Sequence, residues 1–502
     1  MSFSWQILIL IFSISFFIYH LIPIKTRWFF LLIISLIFLF IVSGFLGFLY
    51  TLFAVFIAYI GAYYINKNNK EEKQRKILIL TVIILFTGLF LFKFTNILTP
   101  LINFISQYFN IQKNIVKNLI IPIGISYYTL ILVSYVVDVY RKVTIAERNF
   151  FKYLLSAIYF PHLMMGPIVR HNDTKEQLFS QKPIEFSYIQ FGIIRILWGI
   201  LKKIVIADRI ALFTNQVFAN YLTLPSTYVI LAIFLFALQL YIDFSSAMDI
   251  VLGISECFGI KLPENFNNPY FSRNYHQFWR RWHITIFTFY RDYIFYPVIR
   301  ANTIRTLKSY LEKHSKWFAK YIPVFIAYIV VFVFAGIWHG GDSRAMIGNC
   351  FLPCLYLMFA DIINEPIKNM YKKYNTLQDN VFYSIFQMTG VYVLFCIAVI
   401  FFIAKSAGEG FSIILKCFSS FNIENNFEFL QMKDVIVIIG GLLFVLAIDI
   451  FKEKKIDIRN IYVNKIPIFF HWLVIFIFLI MITIFGLYGP EYNPEDFIYF
   501  KL

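Results

Sequence analysis

The sequence predicts an all-α polytopic membrane protein with about twelve transmembrane helices, together with re-entrant and interfacial helices. Of its 502 residues, 60% are hydrophobic and 15% are charged, a composition outside the range of soluble globular proteins. Apolar stretches of spanning length recur from residue 5 to residue 488. We therefore expect one large membrane domain made of the hydrophobic segments themselves.

The expected number of spans comes from the spacing of the apolar segments. About fourteen such segments begin near residues 5, 28, 49, 77, 118, 150, 186, 226, 244, 321, 346, 381, 433 and 466. Two stretches, LIIPIGISYY (119–128) and IYFPHLMMGPIVRH (158–171), contain proline or charge, so we expect some segments to enter the bilayer only partly. This reduces the expected number of spans to about twelve.

The net charge of +17 reflects basic residues that cluster between the apolar segments. Such clusters mark cytoplasmic loops and contact anionic lipid headgroups, an interpretation we favour over nucleic-acid binding. Lys202 and Lys203 are assigned to one of these inner loops. The alternation of basic clusters places both termini outside the cytoplasm. The five cysteines have no paired spacing, which favours buried thiols over disulfides or a metal site.

The stretch FWRRWHITIFTFYRDY (278–293) concentrates charge within apolar sequence. Each Arg or Asp placed in lipid would cost about 2.5–3.5 kcal/mol, which the neighbouring apolar residues do not offset. A continuous amphipathic helix is predicted, with Arg281 and Asp292 on one face and His283 on the other. It either packs against protein or lies at the interface with its arginines reaching lipid phosphates.

Two aspartates, Asp243 and Asp249, interrupt the preceding apolar run. Ionisable groups at membrane depth are costly unless they are paired or face water. We expect a structural role for both, in ion pairs with Arg273, Arg280 or Arg281.

A histidine ends the apolar run VFVFAGIWHGG (331–341) and is followed by two glycines, which allow the backbone to leave helical geometry. A histidine beside tryptophan at the end of a span is more often an interfacial residue than a catalyst. The topology places His339 toward the outer end of its span.

Several motifs together resemble the membrane-bound O-acyltransferase (MBOAT) family. They are GPIVRH (166–171), DFSSAMDIVLGISECFGIKLPENFNNPY (243–270), FWRRWHITIFTFYRDYIFYP (278–297) and GIWHG (336–340). The stretch 121–141 and the end FIYFKL (497–502) resemble its alginate and peptidoglycan O-acetylation branch, which is related to a D-alanyl transfer branch. The resemblance is strong over about residues 118–345.

The resemblance implies an acetyltransferase of the bacterial inner membrane that acts on a cell-surface polysaccharide. The donor would be acetyl-CoA or another acyl thioester, with no further cofactor and no metal. An extracytoplasmic SGNH-type acyltransferase would be the partner protein that completes the transfer. The chain then divides into N-terminal spans (1–117), a core (118–345), C-terminal spans (346–488) and an extracytoplasmic tail (489–502).

The resemblance also assigns roles to residues. His339 matches the catalytic histidine, His283 matches the second histidine, and Tyr499 matches a tyrosine described as an acyl relay. Candidates for the tunnel or for donor binding are Trp282, Trp338, Asn265, Asn267, Arg280, Arg281 and Arg291. Residues expected to pair structurally are Asp243, Asp249, Asp292 and Arg273.

Two other functions remain open at this point. The first is transfer of D-alanine from a carrier protein to teichoic acid. The second is transport of a lipid-linked sugar, because intramembrane charges and a basic inner surface would also suit a transporter or flippase. We find no inverted repeat in the sequence, which weighs against a transporter.

Overall fold

A computed structural model of the protein describes residues 5–94, 122–180, 183–374, 380–419, 431–488 and 497–498. The regular elements in these ranges are helices, and none of the residues described is in a β-strand. Eight helices within these ranges are long and apolar enough to cross a membrane, and Trp5–Leu21 and Ile125–Tyr140 are shorter apolar helices. The predicted all-α polytopic fold is confirmed.

The chain divides into two compact units, and the first comprises residues 1–196 and 251–263. Its helices are α1 (Trp5–Leu21), α2 (Arg27–Lys67), α3 (Glu71–Lys93), α4 (Ile125–Tyr140), α5 (Phe150–Ile158), α6 (Phe160–Leu163) and α7 (His171–Leu178). Helix α2 is broken at Gly44, whose φ of 64° and ψ of 178° suit glycine and not a residue with a side chain. The apolar segments expected near residues 28 and 49 are the two halves of this kinked helix.

The second unit comprises residues 197–250 and 264–502. Two helices, α8 (Phe186–Leu201) and α10 (Ser226–Cys257), contribute residues to both units. The remaining helices are α9 (Asp208–Ala219), α11 (Tyr275–Trp279), α12 (Ile284–Tyr290), α13 (Tyr296–Arg300), α14 (Asn302–Glu312), α15 (Lys316–Trp338), α16 (Ser343–Ala345), α17 (Leu352–Lys373), α18 (Val381–Ile403), α19 (Ala407–Lys416), α20 (Met432–Glu453), α21 (Ile458–Asn460) and α22 (Ile468–Phe485).

Short 3₁₀ and π segments join some of these helices. The 3₁₀ turns are Ile24–Thr26 and Pro269–Phe271, and the π segments are Lys202–Ala207, Arg291–Phe295, Met346–Phe351 and Ile461–Lys465. The four-part division of the chain that the sequence suggests stays a prediction.

The segments expected near residues 226 and 244 form a single helix, α10, of 32 residues. No proline interrupts it, so the backbone hydrogen bonds continue through the two aspartates. Those carboxylates are neutralised by lysines, as described below, and therefore do not force the chain out of the helix.

The assignment of Lys202 and Lys203 to an exposed inner loop is wrong. Both lie in the π segment Lys202–Ala207, which continues α8 into α9 without a turn. Their side chains are buried, with 4% and 1% of the residue surface exposed. Two adjacent lysines indicate a loop only when no nearby carboxylate can neutralise their charges. Here buried aspartates contact both ammonium groups, so the lysines can lie inside the protein.

The continuous helix predicted for residues 278–293 is also wrong. Helix α11 ends at Trp279 and α12 begins at Ile284, with His283 in the left-handed region at φ 46°. The break is held by the preceding loop, because Ile284 N–H donates to the Asn265 carbonyl at 2.9 Å. The Asn267 N–H donates to the Arg281 carbonyl, also at 2.9 Å. Backbone bonds to another segment therefore replace the helical ones.

Candidate functional site

His339 is the residue that directly follows α15. The helix closes with two backbone bonds, from Gly340 N–H to the Ile337 carbonyl and from Gly341 N–H to the Gly336 carbonyl, each 3.0 Å long. This is the pattern of a Schellman cap, and it requires the positive φ of 135° that Gly340 adopts. The glycines thus end the helix directly after His339, whose imidazole is partly exposed.

His283 is buried, with 2% of its surface exposed, and it precedes α12. Its Nδ1 lies 3.2 Å from the Asn265 Oδ1, and the Phe244 ring packs edge-on against the imidazole with centroids 4.8 Å apart. The residue lies outside all eight candidate spans, and burial lowers the pKa of its imidazole to about 3. The ring is therefore neutral at physiological pH.

Asn265 holds this region together through its side-chain oxygen. Besides the His283 ring, the Oδ1 accepts hydrogen bonds from the Thr285 N–H at 3.1 Å and from the Thr285 hydroxyl at 2.9 Å. Asn265 is 1% exposed, so water does not substitute for these bonds. The asparagine fixes both the first turn of α12 and the orientation of His283.

Replacing Asn265 with Leu is expected to destabilise the protein by about 1–3 kcal/mol, because buried donors lose their acceptor. Asn265→Asp keeps an acceptor oxygen and is expected to be milder. The measurement is the temperature at which half of the detergent-solubilised protein leaves the monodisperse peak on size-exclusion chromatography. Equal melting of the Leu and Asp variants would contradict the role given to the side-chain oxygen.

The two histidines line one cavity in the second unit. The walls are largely apolar and aromatic, and the polar side chains among them are few. The lining residues include Tyr275, Trp279, Trp282, Tyr290, Phe332, Asn349 and Phe395. An apolar cavity with a small number of convergent polar groups is typical of a ligand site.

Tyr275 and Trp279 line the cavity but were not singled out from the sequence. Among the residues described, the Tyr275 hydroxyl and the Trp279 Nε1 have no hydrogen-bond partner, although both atoms are buried. Buried donors are usually satisfied, so two unsatisfied ones beside a cavity indicate places where a bound molecule can accept a hydrogen bond. The signal in the sequence was their i, i+4 spacing, which places both rings on one face of α11.

Of the residues expected in a tunnel, Trp282 lines the cavity. Trp338 is buried beside it and packs edge-on against the His339 ring, with centroids 4.7 Å apart. Asn265 and Asn267 instead hold the break between α11 and α12, through the hydrogen bonds described above. Of the two tryptophans, Trp282 therefore lines the cavity and Trp338 contacts a residue that lines it. The two asparagines are not among the lining residues.

The expected arginines are not among the residues that line the cavity. Arg281 makes a two-pronged ion pair with Glu453, at 2.7 and 3.1 Å. Arg291 pairs with Asp292 at 2.8 Å, while Arg280 and Arg273 have exposed side chains. Arg281 and Arg291 thus pair with carboxylates of this chain.

The aspartates of α10 are paired, as expected, but the arginine predicted for Asp243 is wrong. The Asp243 carboxylate contacts the Lys203 ammonium at 2.8 Å, and the same ammonium contacts Asp208 at 2.8 Å. Asp249 contacts the neighbouring Lys202, also at 2.8 Å. The lysines precede the aspartates by about forty residues, and sequence spacing gives no sign of this pairing.

A second cavity in the same unit has polar walls. It is lined by Lys202, Asp249, Asp449, Lys452 and Glu264, with Tyr241 and Trp198 among the aromatic residues. The Tyr241 hydroxyl donates to Asp449 at 3.2 Å. Groups of three or more His, Cys, Asp or Glu side chains suited to a metal ion do not occur in the described ranges.

Tyr499 lies outside the described residues, but the two residues before it are described. Phe497 is 2% exposed, and its ring lies 4.8 Å from the Lys203 ammonium. The Ile498 N–H donates to the Asp243 Oδ2 at 2.8 Å.

The fold and the cavity define a multi-pass membrane protein with an internal site that contains two histidines. Within it, residues 89–312 match the model of MBOAT, the membrane-bound O-acyltransferase family, so the chain carries an MBOAT region. The resemblance that the motifs predict is confirmed.

Relatives with known names match about half of the chain. A protein of Azotobacter vinelandii named "Probable alginate O-acetylase AlgI" is 32% identical over 274 residues, which cover 54% of this chain and 51% of the relative. The "Peptidoglycan O-acetyltransferase" of Helicobacter pylori is 30% identical over 310 residues, covering 56% and 55%. The "Teichoic acid D-alanyltransferase" of Bacillus subtilis is 28% identical over 235 residues, covering 44% and 55%. The matches thus span about half the length of these bacterial relatives.

Proposed function

We propose that this protein is an O-acyltransferase that moves an acetyl group from a cytoplasmic thioester, such as acetyl-CoA, toward hydroxyls of a polysaccharide outside the cell. The observation that carries the proposal is the cavity that His283 and His339 share. The names of the relatives, an alginate O-acetylase and a peptidoglycan O-acetyltransferase, support the acetyl group and the polysaccharide acceptor.

The residues of the cavity have distinct parts in this reaction. A hydroxyl is a poor nucleophile, and the imidazole of His339 accepts its proton as the oxygen attacks the thioester carbonyl. The carbon–sulfur bond then breaks, and the thiolate of CoA leaves as the free thiol with the proton that His339 returns. His283 remains neutral and is oriented by Asn265, so it hydrogen-bonds to the reacting groups or lines the path without acting as the base. The Trp279 N–H and the Tyr275 hydroxyl are available donors for the charge that develops on the carbonyl oxygen.

A thioester is already activated for acyl transfer, so this chemistry needs no metal and no resident cofactor. The donor is the substrate, and an extracytoplasmic SGNH-type acyltransferase would complete the transfer to the polymer. Transfer of a D-alanyl group is the second candidate, because one relative is named a teichoic acid D-alanyltransferase.

The proposal is tested with the purified full chain in lipid nanodiscs and acetyl-CoA labelled in the acetyl group. We expect free CoA to be released, with the label recovered as acetate, on the protein or on added polysaccharide. A label that stays on CoA throughout would overturn the proposal and would suit a transporter. A parallel reaction with a labelled D-alanyl carrier protein decides between the two acyl groups.

Tyr499→Phe is expected to abolish acetylation of surface polysaccharide in cells that produce the protein, because it removes the phenolic oxygen that would carry the acyl group. Ester-linked acetate released by mild alkali measures the effect. Tyr488→Phe, at an exposed tyrosine, is the matched control. Undiminished acetylation in Tyr499→Phe would remove the relay from the mechanism while leaving the cavity chemistry in place.

A further inference from the structure

Three buried charged residues contact two residues near the end of the sequence, Phe497 and Ile498, in the second unit. The ammonium of Lys203 lies 2.8 Å from both Asp208 and Asp243. We call these three residues the ion triad. Lys203, Asp208 and Asp243 are 1%, 3% and 1% exposed, so the charges are removed from water.

The ion triad is not balanced by its own charges. With all three groups ionised, one ammonium faces two carboxylates, which leaves one negative charge in excess. Buried charge is costly unless hydrogen-bond donors compensate it. Asp243 uses one carboxylate oxygen for Lys203 and the other for the backbone N–H of Ile498, at 2.8 Å.

Phe497 adds a second contact between the tail and the ion triad. Its ring faces the Lys203 ammonium with 4.8 Å between the nitrogen and the ring centroid, a distance at which a cation is attracted to an aromatic face. The ring itself is 2% exposed. One tail residue therefore contacts the cation of the ion triad, and the next residue donates to one of its carboxylates.

We propose that the ion triad is the docking site for Phe497 and Ile498, and that Asp243 is a positioning residue that fixes the backbone of Ile498, the neighbour of Tyr499 in the chain. This proposal rests on the proposed function for the role of Tyr499, although the docking itself does not. Asp243 positions the main chain by accepting a hydrogen bond from the Ile498 N–H. Because the donor belongs to the backbone, this contact does not depend on the side chain at position 498.

Docking is tested by hydrogen exchange, measured by mass spectrometry on the full chain in nanodiscs. The Ile498 amide is expected to exchange slowly in the natural sequence, because it donates to a buried carboxylate. In Asp243→Asn, the amide oxygen faces the Lys203 ammonium, which has no acceptor, so the NH₂ group faces the Ile498 N–H and that hydrogen bond is lost. Exchange of the peptide that contains Ile498 is therefore expected to rise about tenfold or more. Unchanged exchange in helix α15, which belongs to the same unit, shows that the variant is folded, and unchanged exchange at Ile498 overturns the docking.

A variant in the tail tests the positioning without touching the buried charges. Ile498→Pro removes the N–H and leaves the ion triad intact, while Ile498→Val keeps the N–H and is the matched control. We expect polysaccharide acetylation to fall about 10²-fold in the Pro variant, from misplacement of the reacting group, and to be retained in the Val variant. The KM for acetyl-CoA, measured from CoA release, is expected to be the same in both.

The outcomes separate this proposal from the proposed function. Equal polysaccharide acetylation by Ile498→Pro and Ile498→Val overturns the positioning role. Failure of the natural sequence to consume acetyl-CoA overturns the proposed function, whereas slow exchange at the tip that Asp243→Asn abolishes still establishes the docking.

Discussion

His339→Ala is expected to lower acetyl transfer from acetyl-CoA by about 10²–10⁴-fold, the contribution typical of a general base. The effect is expected in kcat, because an imidazole that accepts a proton in the transition state contributes little to binding of the thioester. The measurement is CoA release by the purified protein over a range of acetyl-CoA concentrations. The residue ends a helix, and its two glycines keep the Schellman cap in the variant.

His314→Ala is the matched control, since His314 is exposed and is not among the residues that line the cavity. We expect it to retain the activity of the natural sequence. Both variants should elute as monodisperse protein with the same melting temperature. Full kcat in folded His339→Ala would remove the imidazole from the chemistry and with it the main residue assignment of the proposed function.

Lys203→Met is expected to destabilise the protein by about 3–5 kcal/mol, because removing one member of a buried ion cluster leaves uncompensated charge. Here two carboxylates, Asp208 and Asp243, would lose the ammonium that both contact at 2.8 Å. Methionine preserves most of the side-chain volume, so the loss of stability is caused by the missing charge and not by poorer packing. Thermal melting of the detergent-solubilised protein, followed by size-exclusion chromatography, measures it.

Lys308→Met is the matched control. Its partner Glu312 lies 3.8 Å away, and both side chains are more than half exposed, so that pair contributes about 0–1 kcal/mol. Adding Asp208→Leu to Lys203→Met removes one of the two carboxylates that lost the ammonium and is expected to restore part of the lost stability. If Lys203→Met melted together with Lys308→Met, the ion triad would not be a source of stability.

Much of the fold could be predicted because lipid imposes a simple rule on the sequence. A spanning segment must be long, apolar and helical, so composition and segment length predict the all-α polytopic class. The glycines after His339 were equally informative, because an abrupt helix end with positive φ is a local property of the backbone. Such features depend on residues that are neighbours in the chain.

The break between α11 and α12 could not be predicted in this way. The periodicity of residues 278–293 is compatible with one helix, and the hydrogen bonds that end it come from Asn265 and Asn267 in the preceding loop. Likewise, arginine was expected to pair with Asp243 because Arg273, Arg280 and Arg281 follow it closely in the sequence. Lys203 is nearer in space because α10 packs beside the π segment that follows α8.

The sequence by itself determined the membrane class and the family resemblance and made the two histidines candidates for the site, since each of these follows from local pattern. The tertiary structure decided which groups meet: His283 with His339 across one cavity, and the lysines with the aspartates and the tail. The physical reason is that burial raises the cost of every unpaired charge and donor, so partners are chosen by what lies within hydrogen-bond distance after packing. Distance along the chain carries little information about that choice.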